Sequence, residues 1–304
     1  MIDFQQLRLA LIDAARLGGN VHMDVFLSGN LGEDRKYGTD LVTDADINSE
    51  PVMFDRIKQV FPQGVLIGEE GGASYSDFDD YIIIDSLDCT NSFGRMFERY
   101  KKNIKLTPED RWGPIIGVYE NGKCVGGVVY NVPRDVMYVA TKETGFEKIG
   151  LDLPIHYVHE IGQNPSKDRM RRPEPVPNTI FIDNGAEWFN EEEKQELISR
   201  IEEEFPECTV DYKRQHNLRT ARVHEGIWTA YFHTGVAFHD ICADPIFGDT
   251  TNTMVADHNS VLYSKRNPGE EIWKYENGSQ KALYSNPVIV AKGDNYDRML
   301  KVIE

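Results

Sequence analysis

An apolar run that ends in aspartates is the feature that most constrains the fold of this chain. Residues 81–84, Tyr-Ile-Ile-Ile, are aromatic or β-branched and have the length of a buried strand. Asp85 and Asp88 follow at once, and no lysine or arginine occurs from Gln59 to Gly94. Buried carboxylates that lack compensation cost several kcal/mol or take up protons. The fold must therefore supply these two aspartates with a partner.

Two interpretations of the D-x-x-D spacing follow from the residues alone. A hard divalent cation would remove the cost, and oxygen ligands select Mg²⁺, Mn²⁺ or Ca²⁺ over Zn²⁺. The same spacing lets the carbonyl oxygen of Leu87 point into such a site. In the other interpretation, Asp88 caps a following helix by accepting hydrogen bonds from its backbone N–H groups. The spacing leaves both interpretations open.

The residues after Asp88 add a phosphate argument. Thr90 and Asn91 lie where a turn enters a predicted helix. The start of a helix presents N–H groups and the positive end of the helix dipole, which together favour phosphate oxygens. Metal ligands and a phosphate cradle within six residues are the arrangement that metal-assisted hydrolysis of a phosphate ester needs.

Composition limits the class of partner. The chain has 304 residues and a net charge of −17. Duplex nucleic acid and anionic membranes would be repelled, whereas a phosphorylated substrate is compatible if cations set the local charge. The four cysteines form no C-x-x-C pair, and the sequence lacks a basic leader with an apolar core and any run of 18 apolar residues. We expect a soluble cytoplasmic enzyme that binds neither nucleic acid nor membrane.

Hydrophobic periodicity predicts an α+β fold of two lobes. The expected helices cover 4–27, with an interruption or bend at Gly18-Gly19, and 48–60, 191–205 and 217–230, with a short one at the end of the chain. The expected strands cover 65–67, 81–84, 115–119, 125–131, 136–140, 179–183 and 288–291. A change of composition near Gly150 places the lobe boundary there. We expect residues 1–150 to form a lobe with the metal and phosphate motifs, and residues 151–304 to form a lobe with Asp240 and the substrate-side residues.

Four motifs in register resemble the inositol monophosphatase superfamily of Mg²⁺-dependent, lithium-sensitive phosphatases. The family pattern is D-L-V-T-x-x-D, then G-E-E, then D-P-[IL]-D-[GS]-T, and late in the chain W-D-x-A-A. The matching segments here are 40–46 (DLVTDAD), 68–70 (GEE), 85–90 (DSLDCT) and 239–243 (HDICA). The resemblance implies a layered α/β/α/β/α sugar-phosphatase fold with the active site between the lobes. Relatives in the superfamily include fructose-1,6-bisphosphatases and phosphoadenosine phosphatases.

The resemblance also implies roles for individual residues. Two or three Mg²⁺ ions, with Mn²⁺ as a substitute, would be held by Glu69, Asp85, the Leu87 carbonyl, Asp88 and Asp240. Asp46 and Thr90 would orient the attacking water and take its proton. The backbone N–H groups of Cys89 and Thr90 would bind phosphate. Family members are commonly dimeric, so a homodimer is expected from the resemblance alone.

This chain departs from the family pattern at four positions. Ser86 replaces proline, Cys89 replaces glycine or serine, and His239 replaces tryptophan. His233 stands where inositol enzymes carry a glutamate that meets the sugar hydroxyls. We therefore expect a small sugar or polyol phosphate as substrate, with His233 on the substrate side, and leave myo-inositol phosphate itself open.

Four alternatives remain. Arg219 and its neighbours Arg214 and Arg222 lie on a solvated helix face or bind the second phosphate of a sugar bisphosphate or 3'-phosphonucleotide. Cys89 to Arg95 also fits C-x5-R, the signature of cysteine phosphatases. Cys89 at a helix start could make a phosphatase sensitive to oxidation. Lastly, the chain could be a metal-dependent regulatory module without catalysis, although a decayed site would have lost carboxylates that are all present here.

Overall fold

A computed structural model describes residues 2–32, 34–35, 41–71, 79–102, 111–150, 177–183, 190–212, 220–233, 238–257, 274–276, 279–281 and 288–303. The helices are α1 (Phe4–Ser28), α2 (Asp44–Lys58), α3 (Thr90–Lys101), α4 (Glu191–Glu204), α5 (Ala221–His224), α6 (Asp244–Thr251) and α7 (Asp294–Ile303). The strands of the first half are β1 (Asp34–Arg35), β2 (Leu41–Val42), β3 (Val65–Gly68), β4 (Tyr81–Asp88), β5 (Gly113–Glu120), β6 (Lys123–Asn131), β7 (Val136–Thr141) and β8 (Gly145–Ile149). Those of the second half are β9 (Thr179–Asp183), β10 (Thr209–Tyr212), β11 (Ala230–His233), β12 (Thr253–Asp257), β13 (Lys274–Glu276), β14 (Ser279–Lys281) and β15 (Val288–Lys292).

A six-stranded sheet organises the first half, with its strands in chain order from β3 to β8. Only the β3–β4 pair is parallel, and the other neighbours are antiparallel. Both faces of β4 are covered: Ile82 and Ile84 pack with α1 and α2, and Tyr81 and Ile83 pack on the opposite side. Because side chains alternate along a strand, burial on both faces explains why β4 is a continuous apolar run.

A five-stranded mixed sheet organises the second half, in the order β10-β9-β11-β15-β12. Its outer face packs against α4 and α7. Its inner face shares a core with the first sheet, and residues of α5 and α6 lie between the two. The layers are thus helix, sheet, helix, sheet, helix, which confirms the predicted α+β class and its layered architecture.

Three sequence expectations about helices are wrong. Helix α1 is not interrupted at Gly18-Gly19, whereas the alternative of a bend there stays a prediction. The two glycines permit close packing: a Cβ on Gly18 would lie 2.4 Å from Met53 Sδ, and one on Gly19 would lie 2.6 Å from Tyr130 Cε1. Helix α2 starts at Asp44 rather than near Asn48, because Thr43 caps it.

The third concerns the predicted helix 217–230, of which residues 220–230 are described. It is a single turn, α5, that ends before Gly226, which has a φ of 78°. The chain then enters β11 at Ala230.

The predicted division into lobes 1–150 and 151–304 stays a prediction, since residues 151–176 lie outside the described residues. Among the helices of the described residues, none combines the length and apolar character that crossing a bilayer requires.

Candidate metal and phosphate site

A bulge in β4 brings its two aspartates to the same side. Asp85 pairs with Ile115 on β5, and Asp88 pairs with Gly113, so β4 spans three residues where β5 spans two. In a regular strand, two residues that are three positions apart have their side chains on opposite faces. The extra residue of the bulge places the side chains of Asp85 and Asp88 on the same face instead. The Leu87 N–H donates to Asp85 Oδ1 at 3.1 Å, which holds the first carboxylate in place.

Asp240 reaches the same place from the second half of the chain. It lies in a one-turn 3₁₀ helix, His239–Ile241. The following residues press against the first sheet: a Cβ on Gly117 would lie 2.4 Å from Cys242 O, and Tyr119 donates its hydroxyl hydrogen to that oxygen at 2.9 Å. One carboxylate oxygen each of Asp85, Asp88 and Asp240 lie within 4.8 Å of one another.

The charges of this cluster are compatible with a divalent cation. Asp85 and Asp88 are buried. Burial raises the pKa of Asp85 well above its usual range, and the nearby carboxylates of Glu69, Asp88 and Asp240 raise it further. Several carboxylates can stay ionised at this spacing only if positive charge joins them, and an all-oxygen donor set suits Mg²⁺ or Mn²⁺. The residues present therefore fit the ion that the family implies.

A hydroxyl connects the cluster to a buried acid. Thr90 Oγ1 lies 2.9 Å from Asp46 Oδ1 and 2.9 Å from the carbonyl oxygen of Leu87. Thr90 is the first residue of α3, so it also lies at the positive end of a 12-residue helix. The predicted Thr90–Asp46 pair is thus brought together, beside the predicted Leu87 carbonyl.

Asp46 is fixed from its other side by Thr43. Asp46 Oδ2 accepts hydrogen bonds from the Thr43 backbone N–H at 2.8 Å and from its hydroxyl at 2.7 Å. These bonds are part of a capping box at the start of α2. Burial raises the pKa of Asp46 to about 7, although the bonds from Thr43 lower it. An acid with such a pKa can exchange protons near neutral pH.

Cys89 occupies the turn between β4 and α3. It is the N-cap residue, a position that the capping interpretation gave to Asp88, and has a φ of 72°, in the left-handed region that favours glycine. Its Sγ lies 3.5 Å from Asp88 Oδ2. Residues 90–95 of the C-x5-R segment are helical and Arg95 is exposed, so this segment is not the loop that a cysteine phosphatase wraps around phosphate.

Glu69 stands at the edge of the cluster. It directly follows β3 and its side chain is 31% exposed. The neighbouring Glu70 donates its backbone N–H to Glu50 Oε2 at 3.1 Å. Glu50 itself is buried beneath this turn, and a Cβ on Gly68 would lie 2.1 Å from its carboxylate. The G-E-E motif is therefore shaped by an acid from α2.

The substrate-side predictions have different outcomes. His233 ends β11, is buried, and has its Nε2 3.9 Å from Asp183 Oδ2. Its role toward a substrate stays a prediction. Arg219 and Arg214 lie outside the described residues. Arg222 is buried, with its Nη1 2.8 Å from Glu225 Oε2, so the solvated-face interpretation is wrong for this residue.

Three residues near the site were not predicted. Thr43 could have been found, because T-x-x-D ahead of a helix indicates a capping box. Glu50 gave no signal, since a glutamate in a helix is ordinary. His239 was noted only as a replacement for tryptophan, yet its Nε2 lies 3.4 Å from Asp240 Oδ1 and 3.8 Å from Glu69 Oε2.

Comparisons with known proteins show which family this chain resembles. The model of the inositol monophosphatase family matches residues 3–246. The Nus factor SuhB of Salmonella typhimurium is 31% identical over 259 residues, which cover 83% of this chain and 86% of that protein.

Solved structures show the same fold. The extragenic suppressor protein suhB from Bartonella henselae has a TM-score of 0.67 at 16% identity and covers 97% of both chains. An IMPase/NADP phosphatase complexed with Mg²⁺ and phosphate has a TM-score of 0.61 at 18% identity, covering 94% of this chain and 90% of that one. The family match and the identity to SuhB together show that this chain belongs to the inositol monophosphatase family.

Proposed function

We propose that this chain is a Mg²⁺-dependent phosphomonoesterase that hydrolyses a small phosphorylated sugar or polyol. The observation that carries the proposal is the cluster of Asp85, Asp88 and Asp240, with oxygens within 4.8 Å of one another, at the start of α3. The 2.9 Å contact between Thr90 and Asp46 beside it supplies a proton acceptor. The fold-related phosphatase complexed with Mg²⁺ and phosphate supports the same chemistry.

The ligand set in this proposal is Glu69, Asp85, the Leu87 carbonyl, Asp88 and Asp240. Bound divalent cations would make water acidic enough to attack phosphorus near neutral pH and would stabilise charge on the leaving oxygen. The chain supplies the shape: Asp85 is held by the Leu87 N–H at 3.1 Å, and Asp240 is held by the contact of its segment with the first sheet.

The chain's own residues do the rest. Thr90 Oγ1 accepts a hydrogen bond from the attacking water, which orients it, and its own proton points to Asp46 Oδ1 at 2.9 Å. Asp46 then holds the proton that the water loses, which suits a carboxyl whose pKa is about 7. The N–H groups of Cys89 and Thr90 at the start of α3 bind phosphate oxygens.

The proposal also ranks the classes of substrate. A small sugar or polyol phosphate comes first, and fructose-1,6-bisphosphate and 3'-phosphonucleotides are the alternatives. His233, at the carboxyl end of the parallel strand β11, is the substrate-side residue in this scheme. The resemblance supports Mn²⁺ as a substitute ion and Li⁺ as an inhibitor.

Phosphate release from a panel of inositol, sugar, bisphosphate and nucleotide esters tests the function. We expect turnover with Mg²⁺, loss of turnover in EDTA, and inhibition by Li⁺. Loss of a ligand removes several kcal/mol of transition-state stabilisation, so Asp88→Asn should lower kcat by about 10³-fold. Asp79→Asn, the same change at an exposed aspartate of the same acidic segment, should leave kcat within about twofold. No turnover on any ester would reject the proposal.

The Thr90–Asp46 contact has its own test. Thr90→Ala removes the hydroxyl through which Asp46 acts on the water and should lower kcat by about 10²–10³-fold, within the range of general acid–base catalysis. Thr90→Ser keeps the oxygen and should retain most of the activity. Equal losses in the two variants would show that the methyl group, and not the hydroxyl, matters.

The name of the SuhB relatives supports a second candidate function, that of a Nus factor. Because of this candidate function, the prediction that the chain binds no nucleic acid stays untested. The alternative of a regulatory module without catalysis also stays a prediction. Replacement of SuhB by this chain in a Salmonella strain that lacks it would test this candidate. If Asp88→Asn replaces SuhB as well as the wild type does, that role is independent of the phosphatase site.

A further inference from the structure

His239 gives the candidate site a nitrogen atom among its oxygens. Its side chain is 19% exposed, and Nε2 lies 3.4 Å from Asp240 Oδ1 and 3.8 Å from Glu69 Oε2. A ligand atom each of Glu69, Asp85 and His239 lie within 4.8 Å of one another, as do those of Asp85, Asp88 and Asp240. Asp85 is common to both groups, which we name the mixed group and the oxygen group.

The spacing of the mixed group suits one metal ion. Imidazole nitrogen and carboxylate oxygen bind divalent transition metals at about 2.0–2.2 Å, which places two donor atoms of the same ion about 3–4 Å apart. The distance of 3.8 Å between His239 Nε2 and Glu69 Oε2 falls in that range. The ligand atom of Asp85 lies within 4.8 Å of both, so the three side chains could share one ion.

The two groups differ in the ion that they favour. Carboxylate and carbonyl oxygens suit Mg²⁺ and Mn²⁺, whereas imidazole shifts preference toward Mn²⁺, Fe²⁺, Co²⁺ and Zn²⁺. The family pattern has tryptophan where this chain has His239, so the nitrogen donor is a property of this chain.

We infer that His239 is a metal ligand and that the mixed group holds a first-row transition-metal dication, while the oxygen group holds Mg²⁺. Asp85, which is buried and common to both groups, would supply a ligand atom to each of them. The inference rests on the proposed function only in that both need the carboxylates as ligands.

The competing arrangement is one without metal in the mixed group. A protonated His239 would then serve as an internal cation between Glu69 and Asp240, at the observed distances of 3.8 and 3.4 Å. It would repel a metal ion, so removing the imidazole would strengthen ion binding at the mixed group or leave it unchanged. The two arrangements therefore predict opposite effects of the same variant.

Direct spectroscopy on the wild type decides between them. With Mn²⁺ loaded at one equivalent in the presence of excess Mg²⁺, pulsed electron paramagnetic resonance should show the ¹⁴N coupling of a directly bound imidazole. In His239→Gln the coupling should vanish, although the other seven of the eight histidines are retained. Asp88→Asn, which alters only the oxygen group, should retain the coupling.

Titration gives the second readout. The ratio of the Co²⁺ to the Mg²⁺ association constant, measured by calorimetry, should fall at least about tenfold in His239→Gln and in His239→Trp. An unchanged ratio, or a wild type without ¹⁴N coupling, would overturn the assignment even if Mg²⁺-dependent turnover is found. Conversely, a ¹⁴N coupling in a chain that releases no phosphate would uphold the metal site and reject the proposed function.

Discussion

Two groups of aspartates in this molecule are buried to the same extent but have different neighbours. In the first half, Asp85 and Asp88 lie 1% and 3% exposed beside further carboxylates. In the second half, Asp244 is equally buried but its Oδ1 lies 3.2 Å from His224 Nε2, and His224 Nδ1 lies 3.2 Å from Thr251 Oγ1. Asp183 likewise accepts a hydrogen bond from Tyr231 and lies near His233.

The contrast separates carboxylates with a partner inside the chain from carboxylates that are the proposed metal ligands. Asp244 has an imidazole partner at Oδ1 within the chain, which compensates part of the cost of its burial. Acids gathered together raise one another's pKa and become favourable only when a cation arrives. The first half also buries a histidine, His22, but against the hydroxyl of Ser49, with 3.1 Å from Nε2 to Oγ.

A histidine-to-leucine substitution in the second half gives the largest expected loss of stability, and the same substitution in the first half is its comparison. His224→Leu leaves Asp244 buried without its imidazole and should lower the free energy of unfolding by about 3 kcal/mol. His22→Leu should cost only about 1 kcal/mol, because Ser49 Oγ keeps its contact of 3.4 Å with the carbonyl oxygen of Asp46. Urea unfolding in EDTA measures the free energy of unfolding of both variants. Equal losses would contradict the idea that His224 compensates a buried carboxylate and His22 does not.

Mg²⁺ should stabilise the protein through the cluster of Asp85, Asp88 and Asp240, and not through the His224–Asp244 pair. At about 100 times its dissociation constant, Mg²⁺ should raise the free energy of unfolding of the wild type by about 2.7 kcal/mol. The Asp85→Asn variant should lose this increment. The His224→Leu variant should show the full increment, even though it is less stable than the wild type without Mg²⁺. The measurement is the urea midpoint against Mg²⁺ concentration, and a full increment in Asp85→Asn would contradict the assigned ligands.

The smallest expected effect is a pH dependence from His22. Burial lowers the pKa of His22 from 6.5 to about 3. Between these values the unfolded chain binds a proton that the folded chain does not, so the free energy of unfolding falls as the pH drops, by about 1.4 kcal/mol per unit. Above pH 6.5 the residue adds no dependence.

Asp46, whose pKa is raised to about 7, acts in the opposite direction over the same range, so only a difference between variants isolates His22. Urea unfolding of wild type and His22→Leu in EDTA, between about pH 6 and 5, should differ in slope by about one proton. Parallel slopes would mean that His22 is protonated in the folded chain.

The sequence predicted the features that depend on neighbouring residues and missed those that depend on contacts between distant segments. Strand β4 and the start of α3 were predicted correctly because their signals are local. A continuous apolar run indicates a strand that is buried on both faces, and the aspartates follow it directly in the sequence. The helix expected over 217–230 failed because Gly226, at φ 78°, ends it and because β11 is stabilised by pairing with β9 and β15, which are distant in sequence. The approach of His239 to Glu69 could not be predicted, since it depends on how two distant segments pack.

The glycines of the first sheet have a consequence for how such a site can diversify. A Cβ at Gly117 would lie 2.4 Å from Cys242 O, and one at Gly127 would lie 2.8 Å from Ala243 Cβ, whereas ordinary contact begins at 3.4 Å. A single methyl group at either position would displace the segment that carries Asp240 away from the first sheet. None of the carboxylates in the cluster would be removed by such a substitution. The distance between Asp240 and the aspartates of β4 could therefore be changed by substitutions at apolar positions that carry no ligand atom.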